Sequence, residues 1–292
     1  MLEEKSGSMT ENTRSVIPAR KPDASRGCDL TGRVCVSTVA YDARATALEY
    51  GLGIELAEFC TAYNMDVDFG KWDRIARDSM EGIDLRVFHA PFNELCPAAI
   101  DPLVADVARR RYAQAYRLMA GYGIDRMVVH SGYVPLIYNK EYFAGRSIEF
   151  WGEFLRDKPG DFTLLLENVM EDSPDMLRDI VRGVGDKRMR LCLDIGHAGT
   201  IVSDLPVDGW IDGVSEFLKH VHVHNNFRLN DDHNPPGEGL IDAAAALRNI
   251  AGLGSGITFT LEARRGRESA EWLRDNGFLP PHTGAAPSPE YM

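Results

Sequence analysis

The alternation of strand and helix patterns along this chain predicts an α/β fold, a single (β/α)8 TIM barrel. Eight short apolar runs, of the kind that form buried strands, alternate with segments whose apolar residues recur at spacings of three and four. Near-continuous apolar strands separated by helices are typical of a parallel sheet covered by helices. A barrel of this class takes about 250 residues, and residues 31–278 supply that length.

The predicted strands follow one another along the chain, and the third to the eighth each end in a His, Asp or Glu. They lie at 33–39 (RVCVSTV), 52–56 (LGIEL), 84–89 (DLRVFH), 125–130 (DRMVVH), 161–167 (DFTLLLE), 188–194 (RMRLCLD), 219–224 (KHVHVH) and 257–262 (ITFTLE). The clearest helical patterns between them are 104–121, 174–184 and 240–252. We expect residues 1–30 to form a flexible polar N-terminal extension and residues 279–292 a flexible proline-rich C-terminal tail.

Nine side chains that can bind a metal ion stand at, or just beyond, the ends of strands three to eight. They are His89, His130, Glu167, Asp194, His197, His222, Asp231, His233 and Glu262. An unpaired charge at the end of a buried strand costs several kcal/mol, and the C-terminal ends of barrel strands converge on one mouth. A shared divalent cation would compensate that cost, so the sequence predicts a metal site at this mouth. Imidazole and carboxylate together suit manganese, zinc, cobalt or iron better than calcium or magnesium.

The seventh strand places three histidines on one face. Alternation along KHVHVH turns His220, His222 and His224 into the barrel and the intervening valines towards the helices. Any one of these histidines is also compatible with an ordinary core position in which both ring nitrogens have partners. We expect that role for His220, the deepest of the three, and a ligand role for His222.

Five motifs carry a family resemblance: LENV, CLDIGHA, HVHVHNN, DDHNPPGEG and LEA. Over about 84–264 the chain resembles the xylose isomerase-like TIM barrel superfamily. That superfamily contains the endonuclease IV-like AP endonucleases (AP endonuclease 2) and the sugar or sugar phosphate isomerase/epimerase family. The resemblance implies that Glu167, Asp194, His222 and Glu262 hold one catalytic cation. It implies that the other five candidate ligands complete a three-metal cluster in the nuclease branch, so one to three ions are expected.

The resemblance to the epimerase branch implies an isomerase or epimerase that acts on a sugar or sugar phosphate. Such an enzyme removes a proton next to a carbonyl through a metal-stabilised enediolate. Glu167 and Glu262, nearly opposite each other across the barrel, would serve as its base and acid. By the same resemblance His197 and Arg228 hold substrate oxygens. Two further substrate-binding candidates are Arg264, in a loop that holds phosphate in many barrels, and Phe92, whose ring offers an apolar face.

Two other functions stay open at this stage. Two or three cations could instead cleave a phosphodiester, as in an endonuclease IV-like enzyme, and a non-catalytic metal-binding barrel would keep the four central ligands as a structural site. A nucleic-acid partner is not expected, since the chain carries 32 Lys and Arg against 44 Asp and Glu, a net charge of −12. The segment 55–68, with Glu55, Glu58, Asp66 and Asp68, has no basic residue. A small carbohydrate-like substrate is therefore the expected partner.

No part of the sequence suggests a membrane segment. No stretch approaches the roughly 18 consecutive apolar residues that a transmembrane helix needs, and the polar N-terminal segment lacks the apolar core of a signal peptide. We therefore expect a soluble cytoplasmic protein, and the sequence leaves its oligomeric state open.

Overall fold

Eight parallel strands close into a barrel in the computed structural model, which describes residues 28–158 and 160–281. The strands neighbour one another in chain order, and the first pairs with the eighth to complete the circle. Their bounds are β1 Val34–Ser37, β2 Gly53–Leu56, β3 Arg86–His89, β4 Arg126–His130, β5 Thr163–Glu167, β6 Met189–Asp194, β7 Leu218–Val223 and β8 Thr258–Leu261. The predicted (β/α)8 TIM barrel is confirmed.

Ten helices surround the barrel in the described part of the chain. They are α1 Ala43–Tyr50, α2 Tyr63–Asp66, α3 Phe69–Met80, α4 Pro102–Gly121, α5 Lys140–Arg156, α6 Asp175–Val184, α7 Ile195–Ala198, α8 Val207–Val214, α9 Ala243–Leu253 and α10 Gly266–Asp275. The predicted helical patterns correspond to α4, α6 and α9. The barrel has two helices more than the usual one per strand, because the short helices α2 and α7 lie in loops at the C-terminal mouth.

The short helix α7 follows β6 without a connecting loop. The side chain of Asp194, the last residue of β6, accepts a hydrogen bond of 2.7 Å from the backbone N–H of His197. An aspartate in this position satisfies one of the free N–H groups of the first helical turn. The cap therefore fixes two candidate ligands relative to each other.

The barrel interior is layered along the strands. A small apolar cluster crosses its middle and consists of Cys35, Val87, Val128, Leu165 and Cys192. Because side chains alternate along a strand, the inward residues two positions further on are the candidate ligands at the mouth. The inward residues two positions earlier form the base, among them Arg126 on β4 and Arg190 on β6. The larger apolar cluster lies between the strands and the helices.

Most of the predicted N-terminal extension and C-terminal tail, residues 1–27 and 282–292, lies outside the described residues. The described ends lie together, since the backbone N–H of Leu30 donates a hydrogen bond of 2.8 Å to the carbonyl oxygen of Phe278. None of the described helices is long and apolar enough to cross a membrane.

Candidate metal centre

The four central ligand candidates meet at the C-terminal mouth of the barrel. Glu167 ends β5, Asp194 ends β6, His222 lies in β7 and Glu262 follows β8 directly. Nδ1 of His222 lies 3.1 Å from Oε1 of Glu167, 3.1 Å from Oε2 of Glu262 and 3.8 Å from Oδ2 of Asp194. All four residues are buried. The strand ends thus bring together one ring nitrogen and three carboxylates.

These distances fit a divalent cation. Bonds of about 2.0–2.2 Å to zinc in tetrahedral geometry separate neighbouring ligand atoms by roughly 3.3–3.6 Å. Three buried carboxylates this close together repel one another unless positive charge lies between them. The ligand atoms of this group all lie within 4.8 Å of one another. The donor set of one imidazole and three carboxylates suits zinc, manganese, cobalt or iron.

A second group of ligand atoms adjoins the first through Glu167. Oε2 of this carboxylate lies 3.3 Å from Nε2 of His89 and 3.3 Å from Nε2 of His130. It is buried and accepts no hydrogen bond of acceptable geometry from a described residue. Three potential ligand atoms that face one another in this way could hold a metal ion.

A third group lies towards solvent. Oδ2 of Asp231 is 3.2 Å from Nε2 of His197 and 3.0 Å from Nε2 of His233. Asp231 and His233 lie in the long loop after β7, and the side chain of Asp231 is 39% exposed. The structure therefore brings all nine predicted ligands into three adjoining groups.

Backbone carbonyls orient three of the histidines. Nδ1–H of His89 donates to the carbonyl oxygen of Ala90 at 2.9 Å, that of His197 to Asn168 at 2.8 Å, and that of His233 to Glu262 at 2.7 Å. In each ring this leaves the lone pair of Nε2 facing a carboxylate. Metal-binding histidines commonly donate their second N–H in this way, which fixes both the tautomer and the ring plane.

Glu55 is a participant that sequence reasoning missed. It lies inside the barrel on β2, where Oε2 accepts hydrogen bonds from Nε2 of His220 at 3.2 Å and from the hydroxyl of Thr260 at 2.6 Å. Its Oε1 lies 3.1 Å from Nε2 of His222, although outside the angles of a hydrogen bond. The carboxylate therefore stands behind a candidate metal ligand. Because side chains alternate along a strand, the GIEL segment (53–56) places Gly53 and Glu55 on the same face, and this alternation could have identified Glu55 as inward-facing.

The interpretation of segment 55–68 as an acidic surface needs correction. Glu55 is fully buried, and Glu58, which is partly buried, accepts hydrogen bonds from Thr38 and Ser79. Asp66 forms an ion pair with Arg111 at 2.7 Å. Glu55 is buried because its position in β2 directs its side chain into the barrel. The segment therefore presents less negative charge to a partner than its composition suggested.

His220 takes the core position expected of it. The hydroxyl of Thr258 donates to its Nδ1 at 2.8 Å, while the guanidinium of Arg126 donates to the same hydroxyl at 3.1 Å. A continuous polar column, which we call the axial column, therefore runs up the barrel through Arg126, Thr258, His220, Glu55 and His222. It joins the base of the barrel to the candidate metal centre.

His224, the third inward histidine, contacts two of the ligand groups. Its Nε2 donates to Oδ2 of Asp194 at 3.0 Å, and its ring stacks on that of His233 with the centroids 4.2 Å apart. Gly196 makes room for the ring, because a Cβ at this position would lie 1.9 Å from Cε1 of His224. His224 thus orients a central ligand and supports an outer one.

The carboxylates of the cluster raise the pKa of two of its histidines, His222 and His233. Burial opposes a charge on His222, but Glu262, Glu55 and Glu167 outweigh it and hold the pKa of His222 well above its ordinary value. Burial likewise opposes a charge on His233, whose pKa Asp231 and Glu262 raise to about 9. The site therefore requires positive charge, from protons or from metal ions.

The predicted substrate residues lie around the same mouth. Arg228 and Arg264 are exposed, and neither forms an ion pair with a described residue, whereas Arg265 pairs with Glu238 and Arg267 with Glu49. Arg228 lines a cavity of about 520 Å³ that reaches Ala198, next to His197. Arg228 and His233 both hold positive φ, at 76° and 51°, a strained backbone that is enriched at functional sites.

Phe92 is more closely tied to the metal ligands than the sequence suggested. Its ring stacks on that of His130 with the centroids 4.2 Å apart and meets the ring of His89 edge-on. One face is therefore covered, and Phe92 is partly exposed. The ring supports two candidate ligands as well as bordering the mouth.

Comparison with known proteins agrees with this architecture. Residues 52–280 match the family described as xylose isomerase-like TIM barrel. The chain belongs to this family. Among curated proteins, this xylose isomerase-like barrel is 24% identical over 207 residues to the uncharacterized protein MJ1311 of Methanocaldococcus jannaschii. That match covers 63% of this chain and 66% of the relative, slightly under two thirds of its length.

Two solved structures show how widely the barrel is shared. The TTHB071 protein from Thermus thermophilus, after soaking with zinc chloride, has a TM-score of 0.69 and 26% identity, over 84% of this xylose isomerase-like barrel and 97% of that chain. A D-tagatose 3-epimerase-like protein has a TM-score of 0.67 and 21% identity, over 84% of this chain and 96% of its own. The second similarity establishes the fold alone.

Proposed function

We propose that this protein is a metal-dependent isomerase or epimerase of a small sugar or sugar phosphate. The observation that carries the proposal is the pair of carboxylates, Glu167 on β5 and Glu262 after β8, which flank one cation position at 3.1 Å each from Nδ1 of His222. Two carboxylates on opposite sides of a bound sugar can remove a proton next to a carbonyl and return it elsewhere. The similarity to a D-tagatose 3-epimerase-like protein agrees with this chemistry.

The two carboxylates differ in access to substrate. The side chain of Glu262 is 9% exposed and that of Glu167 is 1% exposed. A divalent cation bound between them would supply a Lewis acid for the negative charge that develops on the substrate oxygens. In this proposal Glu262, on the open side, takes the proton from the substrate carbon, and Glu167 exchanges a proton from the opposite face.

Residues around the mouth would hold the rest of the substrate. Arg228 and Arg264 offer guanidinium groups without carboxylate partners among the described residues, which suits hydroxyl oxygens or a phosphate. His197 lies between the central group and the cavity that Arg228 lines. The part of the substrate that does not react would lie in this cavity.

Phosphodiester hydrolysis is the second candidate, and one specific observation favours it. The outer groups around His89 with His130 and around Asp231 with His233 are both formed, and a one-metal epimerase has less need of them. Two or three neighbouring cations can generate hydroxide and hold both the attacking and leaving oxygens. A third candidate, a non-catalytic barrel, would keep the central ions without turnover.

Solvent deuterium exchange separates these candidates. The purified protein, with its metal content measured, is incubated in D2O with a panel of ketoses and ketose phosphates, and separately with bis-p-nitrophenyl phosphate. We expect deuterium at the carbon next to the carbonyl. The rate of this exchange should fall about 10²- to 10⁴-fold in Glu262→Gln and change little in the exposed control Glu141→Gln.

Two other outcomes would favour the other candidates. Hydrolysis of the diester that His89→Ala and His233→Ala both abolish, without exchange into any sugar, would show that the protein is a hydrolase and not an isomerase. Bound metal with neither activity would favour the non-catalytic barrel.

A further inference from the structure

Four basic side chains surround a small cavity at the base of the barrel, at the opposite end from the metal centre. Arg126, Lys187, Arg190 and Lys219 line this cavity, whose volume is about 200 Å³, and no Asp or Glu is among its lining residues. We call these four residues the basal cluster. They gather positive charge in a chain whose net charge is −12.

Strand geometry turns two of these side chains, Arg126 and Arg190, towards the barrel axis. Arg126 and Arg190 have the same parity as Val128 and Cys192 of the inner apolar cluster, so they face inward at the start of β4 and β6. Lys219 is the extra residue of an irregular pairing, in which Leu218 pairs with Leu191 but His220 pairs with Cys192. Such a bulge redirects a side chain. The cluster is therefore built into the barrel.

The positive charge of this cluster has little compensation. Nε of Arg126 lies 3.7 Å from Oδ1 of Asp125, whose side chain is 72% exposed. The guanidinium of Arg126 also donates a hydrogen bond of 3.1 Å to the hydroxyl of Thr258. Arg190 donates to the carbonyl oxygen of Met189, and neither Lys187 nor Lys219 forms an ion pair with a described residue. Arg190 thus has no carboxylate partner among the described residues and Arg126 has only a distant, exposed one, and inward-facing guanidinium groups so little compensated are costly. A bound anion would relieve that cost.

We propose that the basal cluster binds a small multivalent oxyanion of the phosphate class. Guanidinium groups match the geometry of such an anion with paired N–H donors, and ammonium groups add point charges around it. The cavity is smaller than the roughly 300 Å³ at the lower end for drug-sized ligands, so it suits a free phosphate or pyrophosphate group. Leu165, in the inner apolar cluster, also lines the cavity.

Titration calorimetry with inorganic phosphate, and separately with pyrophosphate, tests this proposal. The protein is used as purified, with ionic strength held constant by chloride. We expect saturable binding whose dissociation constant rises at least about tenfold in Arg190→Gln and in Lys219→Gln, because each substitution removes a charge-assisted hydrogen bond. Arg74→Gln, an exposed arginine of α3 outside the cluster, is the matched control and retains wild-type affinity.

The mouth is the competing location for phosphate. Arg264→Gln distinguishes the two, because it leaves the basal cluster intact. Binding that Arg264→Gln removes and Lys219→Gln preserves would assign the anion to the mouth and overturn the proposal. Absence of saturable binding at about 0.15 M ionic strength would also overturn it. If Arg190→Gln fails to fold, Lys187→Gln and Lys219→Gln provide the same test, because both lysines are exposed and their substitution should not disturb folding.

Discussion

Glu55 carries a buried charge that His220, His222 and Thr260 compensate. Burial by itself raises the pKa of this carboxyl, but His222 and His220 outweigh burial and hold the pKa well below its ordinary value. Glu55 is therefore ionised, and it can fix His222 with Nε2–H towards the barrel interior and Nδ1 towards the cation position. Carboxylates behind metal-binding histidines also raise the basicity of the ligand.

Substitution Glu55→Gln should weaken metal binding without removing a ligand. We expect the affinity of the central site for zinc to fall about 10- to 100-fold, as for other partners of metal-binding histidines. Competition with a chromophoric chelator measures this change. The matched control is Glu58→Gln, which changes a partly buried carboxylate that accepts hydrogen bonds from Thr38 and Ser79 outside the site. Equal losses in both variants would point to a general loss of folding and not to a role behind His222.

The close approach of Gly196 to His224 has a measurable consequence. A methyl group at Gly196 would meet the buried imidazole ring at 1.9–2.3 Å, and this ring cannot move without losing its contacts with Asp194 and His233. We expect Gly196→Ala to lower the free energy of unfolding by about 1–3 kcal/mol, as overpacking does, and to reduce the metal content. Urea denaturation and elemental analysis measure the two effects.

Gly152 provides the control for that substitution. It lies within α5, and a Cβ there would have nothing within 4 Å. Gly152→Ala should therefore raise the free energy of unfolding by about 0.5–1 kcal/mol, because alanine is the better helix former. If both alanine variants shift stability in the same direction, the packing of His224 against Gly196 is not the cause.

At the scale of elements, Arg188 joins the end of α5 to the start of β6. Its guanidinium donates to the carbonyl oxygens of Leu155 and Lys158 at 2.8 and 2.7 Å and to Asp186 at 2.7 Å. These carbonyls belong to the last turn of α5 and the residues after it, where helical partners run out. Asp186 thus holds an arginine that caps a neighbouring helix.

This contact predicts a small pH dependence of stability. The hydrogen bond from Arg188 lowers the pKa of Asp186 below its ordinary 3.8, so its contribution is present above the unfolded-state pKa and is lost as pH falls through the folded-state pKa. Because the carboxylate is partly exposed, we expect a loss of about 0.5 kcal/mol or less. The urea midpoints of wild type and Asp186→Asn should differ at pH 7 and converge near pH 2. A constant difference would contradict this assignment.

At the scale of the whole molecule, the candidate metal centre would couple folding to cation binding. Carboxylates and ring nitrogens with free lone pairs meet in the buried mouth, so the metal-free protein needs protons where the loaded protein has ions. Removal of metal by a chelator should lower the melting temperature, and added zinc should restore it. Stabilisation by binding reaches about 4 kcal/mol when the free ion is 1,000-fold above its dissociation constant.

Glu262→Gln sharpens this prediction. The variant loses one of three crowded carboxylates, so its metal-free form should melt at a higher temperature than metal-free wild type, while zinc should stabilise it less. Differential scanning calorimetry of both proteins with and without zinc measures all four states. A variant that is less stable than wild type in both states would show that Glu262 contributes packing and not repulsion.

The sequence predicted the barrel, and it also picked out nine candidate ligands that the structure brings together at the mouth, because both depend on local patterns. Strand ends such as LLLE and CLD can be identified in one segment, and parallel strands bring those ends to one mouth. Alternation in GIEL predicts that Glu55 faces inward, but its partner could not be predicted this way, because His220 lies 165 residues further along the chain. The basal cluster also depends on closure of the barrel and on the irregular pairing at Lys219.

The axial column connects the basal cluster at one end of the barrel to the candidate metal centre at the other. A change of charge beside Arg126 would alter the hydrogen bond from Thr258 to His220, and through it the hydrogen bond from His220 to Glu55, which lies behind the candidate ligand His222. An oxyanion at the base and a cation at the mouth would then be thermodynamically linked. Linkage is reciprocal, so the factor by which phosphate changes the affinity for metal equals the factor by which metal changes the affinity for phosphate.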